Sequence, residues 1–361
     1  MAAAPTGVGR GGASERRYPA AALRGAGQAL LEAAGLPTER AAVIAEVLVE
    51  ADLLGRGTHG LSLLPRYLAD LEAGSMRATG DPIVLSATES SLAWDGRKLP
   101  GPWLIHQALD VGFDRIARAP VVTVTIGCSH HIACLQAYLR RATDRGYVCL
   151  LACADPVNTG VAPHGGIRPA LSTNPLAVGI PTSRDPMLID FATSTTSFGR
   201  ARRVAQEDGR LPGDWVVDHE GNASNNPAVL FGESPGAILP LGGIELGYKG
   251  FGLMLLIEAL ANGLAGRGRA THQSGWLASV FLLLIDPARF GGRAEFLREM
   301  NYLAESCRSS PPRRKIDKVQ LPGDAALARR RRITAQGIPV SGPLLAQLET
   351  WAAKLKVSLF A

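Results

Sequence analysis

The chain has 361 residues, of which 46% are hydrophobic and 19% are charged, and its net charge is +6 at pH 7. This length can bury a substantial core and predicts two or three lobes, since domains typically contain roughly 100–200 residues. The longest apolar runs are much shorter than the ~20 residues that span a bilayer, so we expect no membrane-spanning helix.

The N-terminal segment predicts no folded element. Its first thirteen residues are rich in Ala and Gly and lack the apolar stretch of a secretory signal, so we interpret residues 1–16 as a disordered tail. Residues 7–12 have the spacing G-x-G-x-x-G of a dinucleotide-binding loop. Such a loop requires a preceding strand, and only six residues come before it here, so we do not assign it to phosphate binding.

Cysteine usage indicates a reducing compartment. The chain has five cysteines, an odd number, and four of them lie in apolar or small-residue runs typical of a core. Reduced thiols in a cytoplasm are the simplest interpretation.

The excess positive charge is concentrated near the C-terminus, at residues 313–315 and 329–332. Such runs usually form a solvated face, and no aromatic residues or nucleic-acid-binding motif accompany them. We therefore expect no nucleic-acid partner, although this remains a remote alternative. A mildly positive protein also attracts small anionic molecules.

The first part of the chain is predicted to be helical as far as Gly55, with a turn at residues 37–40. Glycines end this predicted helix, so His59 is expected to lie just beyond its C-terminus. A histidine titrates near pH ~6.5, which suits a general acid or base at neutral pH. The alternative is a structural histidine that bonds a nearby carbonyl group.

The middle of the chain predicts an α/β layer, because a β-branched strand, a small turn, a helix and a second strand follow one another. The turn at residues 127–131 is expected to open the helix, so its backbone N–H groups would face an anion. The predicted elements are a helix at 65–72, strands within 83–94, a helix at 103–117, a strand at 120–126, a helix at 133–144 and a strand at 147–152.

Two charged residues in the second half of the chain are candidates for function. Asp190 ends an apolar strand, where a lone carboxylate is either employed or caps the residues after it. Lys249 stands between glycines at the predicted start of a helix, which suits contact with a phosphate or carboxylate. The other predicted elements are strands at 176–181, 187–191 and 280–286, a polar loop at 209–226, and helices from 247 to about 266, at 293–309 and at 344–354.

Several site types have no support in the sequence. It contains no internal repeat, no paired-cysteine motif and no H-E-x-x-H, so we expect no metal centre. It also lacks G-x-S-x-G, which weakens a serine-hydrolase interpretation.

Eight short segments follow one another along the chain: Gly57–Gly60, Ser129–His131, Pro163–Gly166, Ser172–Pro175, Ile189–Ser194, Leu239–Gly243, Tyr248–Leu253 and Leu321–Asp324. In this order they resemble the malate/L-lactate/L-sulfolactate dehydrogenase family, between about Ala41 and Val340. The resemblance implies a mixed central sheet flanked by helices, distinct from the common Rossmann fold. We expect residues 17–118 and 295–361 to form a mainly helical substrate and dimerisation lobe, and residues 119–294 an α/β cofactor-binding lobe.

The resemblance also implies hydride transfer between NAD or NADP and a small 2-oxo or 2-hydroxy acid, in a homodimer. Reduction of a cyclic imine such as piperideine-2-carboxylate is the second alternative, because the same hydride and proton delivery serves a C=N bond. Thr58, His59 and Asp190 match the family's proton relay. In this interpretation His59 exchanges the proton, and Asp190 holds the imidazole in the required tautomer.

Other residues match the family's binding segments. The cofactor candidates are Ser129, His131, Ile132, Ser172, Thr173, Asn174, Asn225, Pro322, Gly323 and Asp324. The substrate candidates are Tyr67, Arg66, His131, Arg168 and Lys249.

Two positions depart from the family pattern. Some members carry an arginine four residues after the histidine to bind a carboxylate, and this chain has Leu63 there. Arg66, Arg168 and Lys249 are the alternatives for that role. Many relatives carry an aspartate near residue 225, where this chain has Ser224-Asn-Asn226, so the cofactor contact there stays open.

Overall fold

The computed structural model describes residues 16–360, and the predicted tail and the glycine-rich segment at 7–12 lie almost entirely outside this range. The described residues contain the helices α1 Ala20–Ala33, α2 Thr38–Leu53, α3 Leu64–Glu72, α4 Gly101–Ile116, α5 Gln136–Thr143, α6 Phe198–Gln206, α7 Gly243–Glu258, α8 Arg293–Ser309, α9 Asp324–Gln336 and α10 Gly342–Leu355. The strands are β1 Arg16–Tyr18, β2 Ile83–Ala87, β3 Ser91–Asp95, β4 Val121–His130, β5 Val148–Ala154, β6 Pro175–Ile180, β7 Met187–Ala192, β8 Val216–Val217, β9 Ala223–Ser224, β10 Ala237–Ile238, β11 Leu277–Ile285 and β12 Ile338–Val340.

A seven-stranded mixed sheet organises the fold, in the order β2-β3-β4-β11-β5-β6-β7. Its pairs are antiparallel except for β3 with β4, which is parallel. The central strand, β11, is almost entirely apolar and largely buried, as expected for a strand covered on both faces. The predicted α/β fold with a mixed sheet flanked by helices is therefore confirmed.

The main hydrophobic core joins the sheet to the helices from both ends of the chain. Helices α4 and α5 pack against the sheet strands, α1 packs along α2, and α9 and α10 contact the N-terminal helices. Strands β2 and β3 belong to the same sheet, although they come from the segment predicted as a mainly helical lobe. The division into two lobes remains a prediction.

A second, smaller core lies around the three-stranded sheet β10-β8-β9. Strands β8 and β9 lie inside the segment 209–226, which was predicted to be a loop. They were missed because each is only two residues long and lies among polar and glycine residues.

The turn predicted at residues 127–131 is wrong, because β4 continues to His130 and the next helix begins at Gln136. The residues that suggested a turn pair with β11, and the register shifts between Ala278 and Val280. Cys128 has a positive φ of 52° at this irregularity. A glycine followed by polar residues here marks a β-bulge, so no helix N-terminus faces an anion at this point.

Helix α7 begins at Gly243, which places Lys249 inside the helix and not at its start. The helix dipole therefore does not bear on this side chain. Gly250 lies against the main chain of Leu241, and a Cβ at this position would overlap those backbone atoms. The glycines that suggested a helix start instead allow α7 to approach the preceding segment.

The C-terminal arginine run lies on α9, a helix that the sequence analysis did not assign. Leu327 and Ile333 of this helix are buried, while Arg330 pairs with Glu50 and Arg331 with Asp185. Part of the positive charge is thus compensated within the fold. Among residues 16–360, no helix has both the length and the apolar composition needed to cross a membrane.

Candidate active site

His59 lies on a short 3-10 turn, Gly57–His59, directly after α2. Asp52 of α2 stabilises this segment, because its Oδ2 accepts a hydrogen bond of 2.9 Å from the Leu61 N–H. Gly60 lies directly against this carboxylate, and a Cβ there would overlap it. The glycine is therefore required for the close approach that fixes the position of His59.

Two neighbours define the state of the His59 imidazole. The hydroxyl of Thr58 lies 3.0 Å from Nδ1, so the predicted pair is in hydrogen-bond contact. Burial lowers the pKa of His59 below its ordinary value, and the positive charge of Arg56 lowers it further. The ring is consequently neutral at pH 7, and Nε2 has no hydrogen-bond partner among residues 16–360.

An aromatic cluster faces His59 and contains two of the predicted substrate residues. The His131 ring centroid lies 6.1 Å from that of His59, and the hydroxyl of Tyr67 lies 2.9 Å from His131 Nδ1. Trp276 stacks on His131 with the ring centroids 3.9 Å apart. Trp276 was not predicted from the sequence, where its only signal is its position directly before the central strand β11.

The hydrogen bonds of His131 indicate which ring nitrogen carries its proton. The N–H of Ala133 donates to Nδ1 at 3.3 Å, so Nδ1 is an acceptor and the neutral ring is protonated at Nε2. Burial and the neighbouring histidines hold the pKa of His131 well below its ordinary value. His131 therefore offers one N–H donor and stays uncharged at neutral pH.

Behind this cluster, the buried carboxylate of Asp70 contacts the exposed Arg66 and the buried His130. Arg66 Nε donates to both carboxylate oxygens at 2.9 Å, and His130 Nε2 lies 3.2 Å from Oδ2. Burial lowers the pKa of His130 to about 4, and Asp70 opposes this change. These contacts give His130 a structural position and leave the Arg66 charge compensated.

Asp190 lies in β7 at the edge of the sheet, where it pairs in register with Ala177. The Cys134 thiol lies 3.8 Å from its Oδ2, and Arg56 Nη2 donates to its main-chain oxygen at 3.4 Å. Burial raises the pKa of Asp190, while Arg56 opposes the rise. No hydrogen bond joins Asp190 to His59 within residues 16–360. The positive charge of Arg56 nevertheless lowers the pKa of both groups.

Three of the cofactor candidates have side chains that are already engaged or enclosed. Ser129 is fully buried and donates to the His130 carbonyl at 2.7 Å. Asn174 is also fully buried, and its amide donates to Glu258 at 3.1 Å. Ile132 is a core residue. A ligand would meet these three residues through the backbone they support and not through their side chains.

Other cofactor candidates lie along β7, the strand that carries Asp190. The Thr173 carbonyl accepts from Thr193 N–H just after this strand, and Pro322 O accepts from Leu188 N–H near its start. The side chains of Thr173 and Asn225 have no hydrogen-bond partner among the described residues. Asn225 lies apart from β7, directly after β9. Unpaired amide and hydroxyl side chains such as those of Asn225 and Thr173 are of the type that could bind the polar groups of a nicotinamide dinucleotide.

The remaining binding candidates are either engaged in contacts within the protein or exposed to solvent. Ser172 accepts from the Asp155 N–H, Gly323 lies against Leu188, and Asp324 pairs with Arg308 at 2.8 Å. The exposed side chains of Arg168 and Lys249 form no hydrogen bond or ion pair with the His59 cluster in the described part of the chain. Across residues 16–360, no three His, Cys, Asp or Glu side chains are grouped so as to hold a metal ion.

The buried carboxylate of Asp52, which stabilises the His59 turn, predicts a measurable pH dependence of the free energy of unfolding. Burial raises the pKa of Asp52 to about 7. An unfolded aspartate has a pKa near ~3.9, so the folded protein binds the extra proton between these values and loses stability as the pH rises through this window. The side chain that Asp52→Asn introduces has no charge at any of these pH values. Between about pH 5 and pH 8, we therefore expect the free energy of unfolding to fall by about 2–3 kcal/mol less in this variant than in the wild type.

Urea unfolding at several pH values measures this difference, and Asp114→Asn, at an exposed carboxylate, is the matched control. Parallel curves for the wild type and Asp52→Asn would contradict the account of this turn.

The sequence profile of the malate/L-lactate dehydrogenase family matches residues 18–349, which is most of the chain. This chain belongs to the malate/L-lactate dehydrogenase family. The predicted family resemblance is therefore confirmed. The chain is an oxidoreductase of a family of hydroxy acid dehydrogenases.

Individual relatives span nearly the whole chain. An L-sulfolactate dehydrogenase of Methanothermobacter thermautotrophicus is 29% identical over 338 residues, covering 91% of this chain and 94% of the relative. A Delta(1)-pyrroline-2-carboxylate/Delta(1)-piperideine-2-carboxylate reductase of Pseudomonas syringae pv. tomato is 30% identical, covering 88% and 91%. The structure of a sulfolactate dehydrogenase from Methanocaldococcus jannaschii has a TM-score of 0.86 at 23% identity, covering 95% and 98%, and confirms the fold.

Proposed function

We propose that this dehydrogenase transfers a hydride between NAD or NADP and a small 2-oxo or 2-hydroxy acid of the malate, lactate or sulfolactate type. The observation that carries the proposal is the group formed by His59, Thr58, Tyr67 and His131. It combines one imidazole with a free Nε2 and a second imidazole that offers an N–H donor. Such a pair suits a reaction in which a carbonyl oxygen gains a proton.

The reduced nicotinamide supplies the hydride to the substrate carbon when it is bound. As negative charge develops on the substrate oxygen, protonated His59 donates its Nε2 proton to that atom. In the reverse direction neutral His59 accepts the hydroxyl proton. Thr58 holds the other ring nitrogen, so the imidazole keeps one orientation throughout.

His131 and Asp190 have supporting roles in this proposal. His131 donates its Nε2 N–H to the substrate oxygen and stabilises the charge that forms there. Tyr67 and Trp276 hold the His131 ring from its edge and its face. Asp190 stabilises the His59 imidazolium through its negative charge, without a hydrogen bond to the ring.

Reduction of a cyclic imino acid is the second candidate function. The similarity to the Pseudomonas syringae reductase favours it, since that relative is 30% identical along almost the whole chain. The same two imidazoles can serve a C=N bond, because the imine nitrogen gains a proton as the carbon gains a hydride.

Steady-state assays with NADH and NADPH separate these alternatives. We expect oxidation of the cofactor with at least one of oxaloacetate, pyruvate or sulfopyruvate. Turnover with piperideine-2-carboxylate alone would favour the imine reductase. No turnover with any oxo acid or cyclic imine would contradict both proposals.

We also propose a cytoplasmic homodimer. The five unpaired cysteines support the reducing compartment. Helix α7 presents apolar side chains to solvent at Ile244, Tyr248 and Leu255, which lie along one face and suit a protein interface. Light scattering coupled to size exclusion tests the assembly, and a mass of 38.0 kDa, that of a single chain, would contradict it.

A further inference from the structure

The proposed substrates carry a carboxylate, which a water-poor site binds best with a cation. The position four residues after His59 is Leu63, whose side chain packs against the main hydrophobic core. It provides no charge. The carboxylate must therefore be bound from another position near His59.

Arg56 has the required position. It lies three residues before His59, directly ahead of the 3-10 turn, and its side chain reaches toward Asp190. Its Nε donates to Gln136 Oε1 at 3.2 Å, and its Nη2 donates to the main-chain oxygen of Asp190 at 3.4 Å. The guanidinium is thus held at the main chain of Asp190, and its charge lowers the pKa values of both His59 and Asp190.

Both partners of Arg56 are neutral oxygens, so its charge is left available. Within residues 16–360, no carboxylate forms an ion pair with this guanidinium, and the Asp190 carboxylate interacts with it only through longer-range electrostatics. The residue is exposed to solvent and can receive an anion. Arginine presents a planar fork of N–H donors that matches the two oxygens of a carboxylate.

The other cations are less suitable. Arg66 already binds both oxygens of the buried Asp70, and a substrate would have to compete with that pair. Arg168 and Lys249 form no hydrogen bond or ion pair with the His59 cluster in the described residues. Arg56 therefore stands out as a cation that is both close to His59 and free of a carboxylate partner.

We propose that Arg56 binds the carboxylate of the substrate and thereby positions the reacting carbon beside His59. This inference rests on the proposed function. It also connects binding with proton transfer: the charge of Arg56 lowers the pKa of His59, and a bound carboxylate offsets that charge. Substrate binding then makes His59 easier to protonate, which favours reduction.

Arg56→Gln tests the proposal because it removes the charge and keeps a polar side chain. We expect KM for the preferred 2-oxo acid to rise about 10- to 100-fold, with a smaller change in kcat. Binding of oxalate, followed by tryptophan fluorescence in the cofactor-loaded protein, is expected to weaken by a similar factor. The apparent pKa of His59 in the pH profile of kcat/KM is expected to rise.

Three variants make the result specific. Arg56→Lys keeps the charge and is expected to recover part of the oxalate affinity. Arg118→Gln, at an exposed arginine, is expected to keep the wild-type KM, and Arg66→Gln is measured as the competing assignment. Thermal unfolding establishes that each variant is folded.

Unchanged KM and unchanged oxalate affinity in folded Arg56→Gln would overturn the assignment. A loss of oxalate binding in Arg66→Gln alone would transfer the role to Arg66 and also overturn it. Neither result affects the proposed function, which fails only if the wild-type protein turns over none of the oxo acids or cyclic imines.

Discussion

Replacement of His59 by alanine is expected to lower kcat for the reduction of the 2-oxo acid by about 10²–10⁴-fold, the usual contribution of a general acid or base. The physical reason is that the substrate oxygen loses its proton donor, while the cofactor contacts are left in place. Affinity for the reduced cofactor, measured by fluorescence titration, should stay close to that of the wild type. Steady-state kinetics measures the loss of kcat.

His219→Ala is the matched control, because His219 is exposed and lies on a turn in the smaller core region. We expect it to keep wild-type kinetics. Undiminished turnover in His59→Ala would remove this residue from the proton transfer.

Asp190→Asn is expected to have the second-largest effect, a fall in kcat of about 10- to 100-fold. The substitution preserves shape but removes the negative charge that would stabilise the imidazolium of His59. The Arg56 contact to the main-chain oxygen of residue 190 does not depend on the side chain, so the strand should stay intact. The apparent pKa of His59 in the kinetic profile should also fall.

Asp114→Asn provides the control, since this carboxylate is exposed on α4. A variant at position 190 with wild-type kcat and an unshifted pH profile would show that the buried carboxylate serves only the packing of β7. This outcome is informative because no hydrogen bond links Asp190 to His59 in the described structure.

The fold could be predicted where local pattern and tertiary role agree. The apolar run of β11 predicts a buried strand, and the structure covers both faces of this strand. The segment at residues 127–131 was wrongly predicted as a turn, because its glycine and polar residues form a bulge that exists only when β4 pairs with β11, about 150 residues later. Helix α9 was missed because consecutive arginines hide its two buried apolar positions.

The site could be predicted only in part, for a similar reason. Thr58 and His59 are neighbours in the sequence, and their contact follows from that proximity. Trp276 reaches His131 across 145 residues of chain, and nothing in the local pattern signals that meeting. Arg56 was overlooked because its neutral partners are visible only in three dimensions.

The most direct test of the central claim is the pH dependence of kcat/KM for 2-oxo acid reduction, compared between the wild type and His59→Gln. Burial and Arg56 lower the pKa of His59, so the protonated donor becomes scarce as the pH rises. We expect the wild-type rate to fall tenfold per pH unit above an apparent pKa below ~6.5, and the variant to be slow and to lack this falling limb. The same falling limb in both proteins would contradict the assignment of His59 as the proton donor.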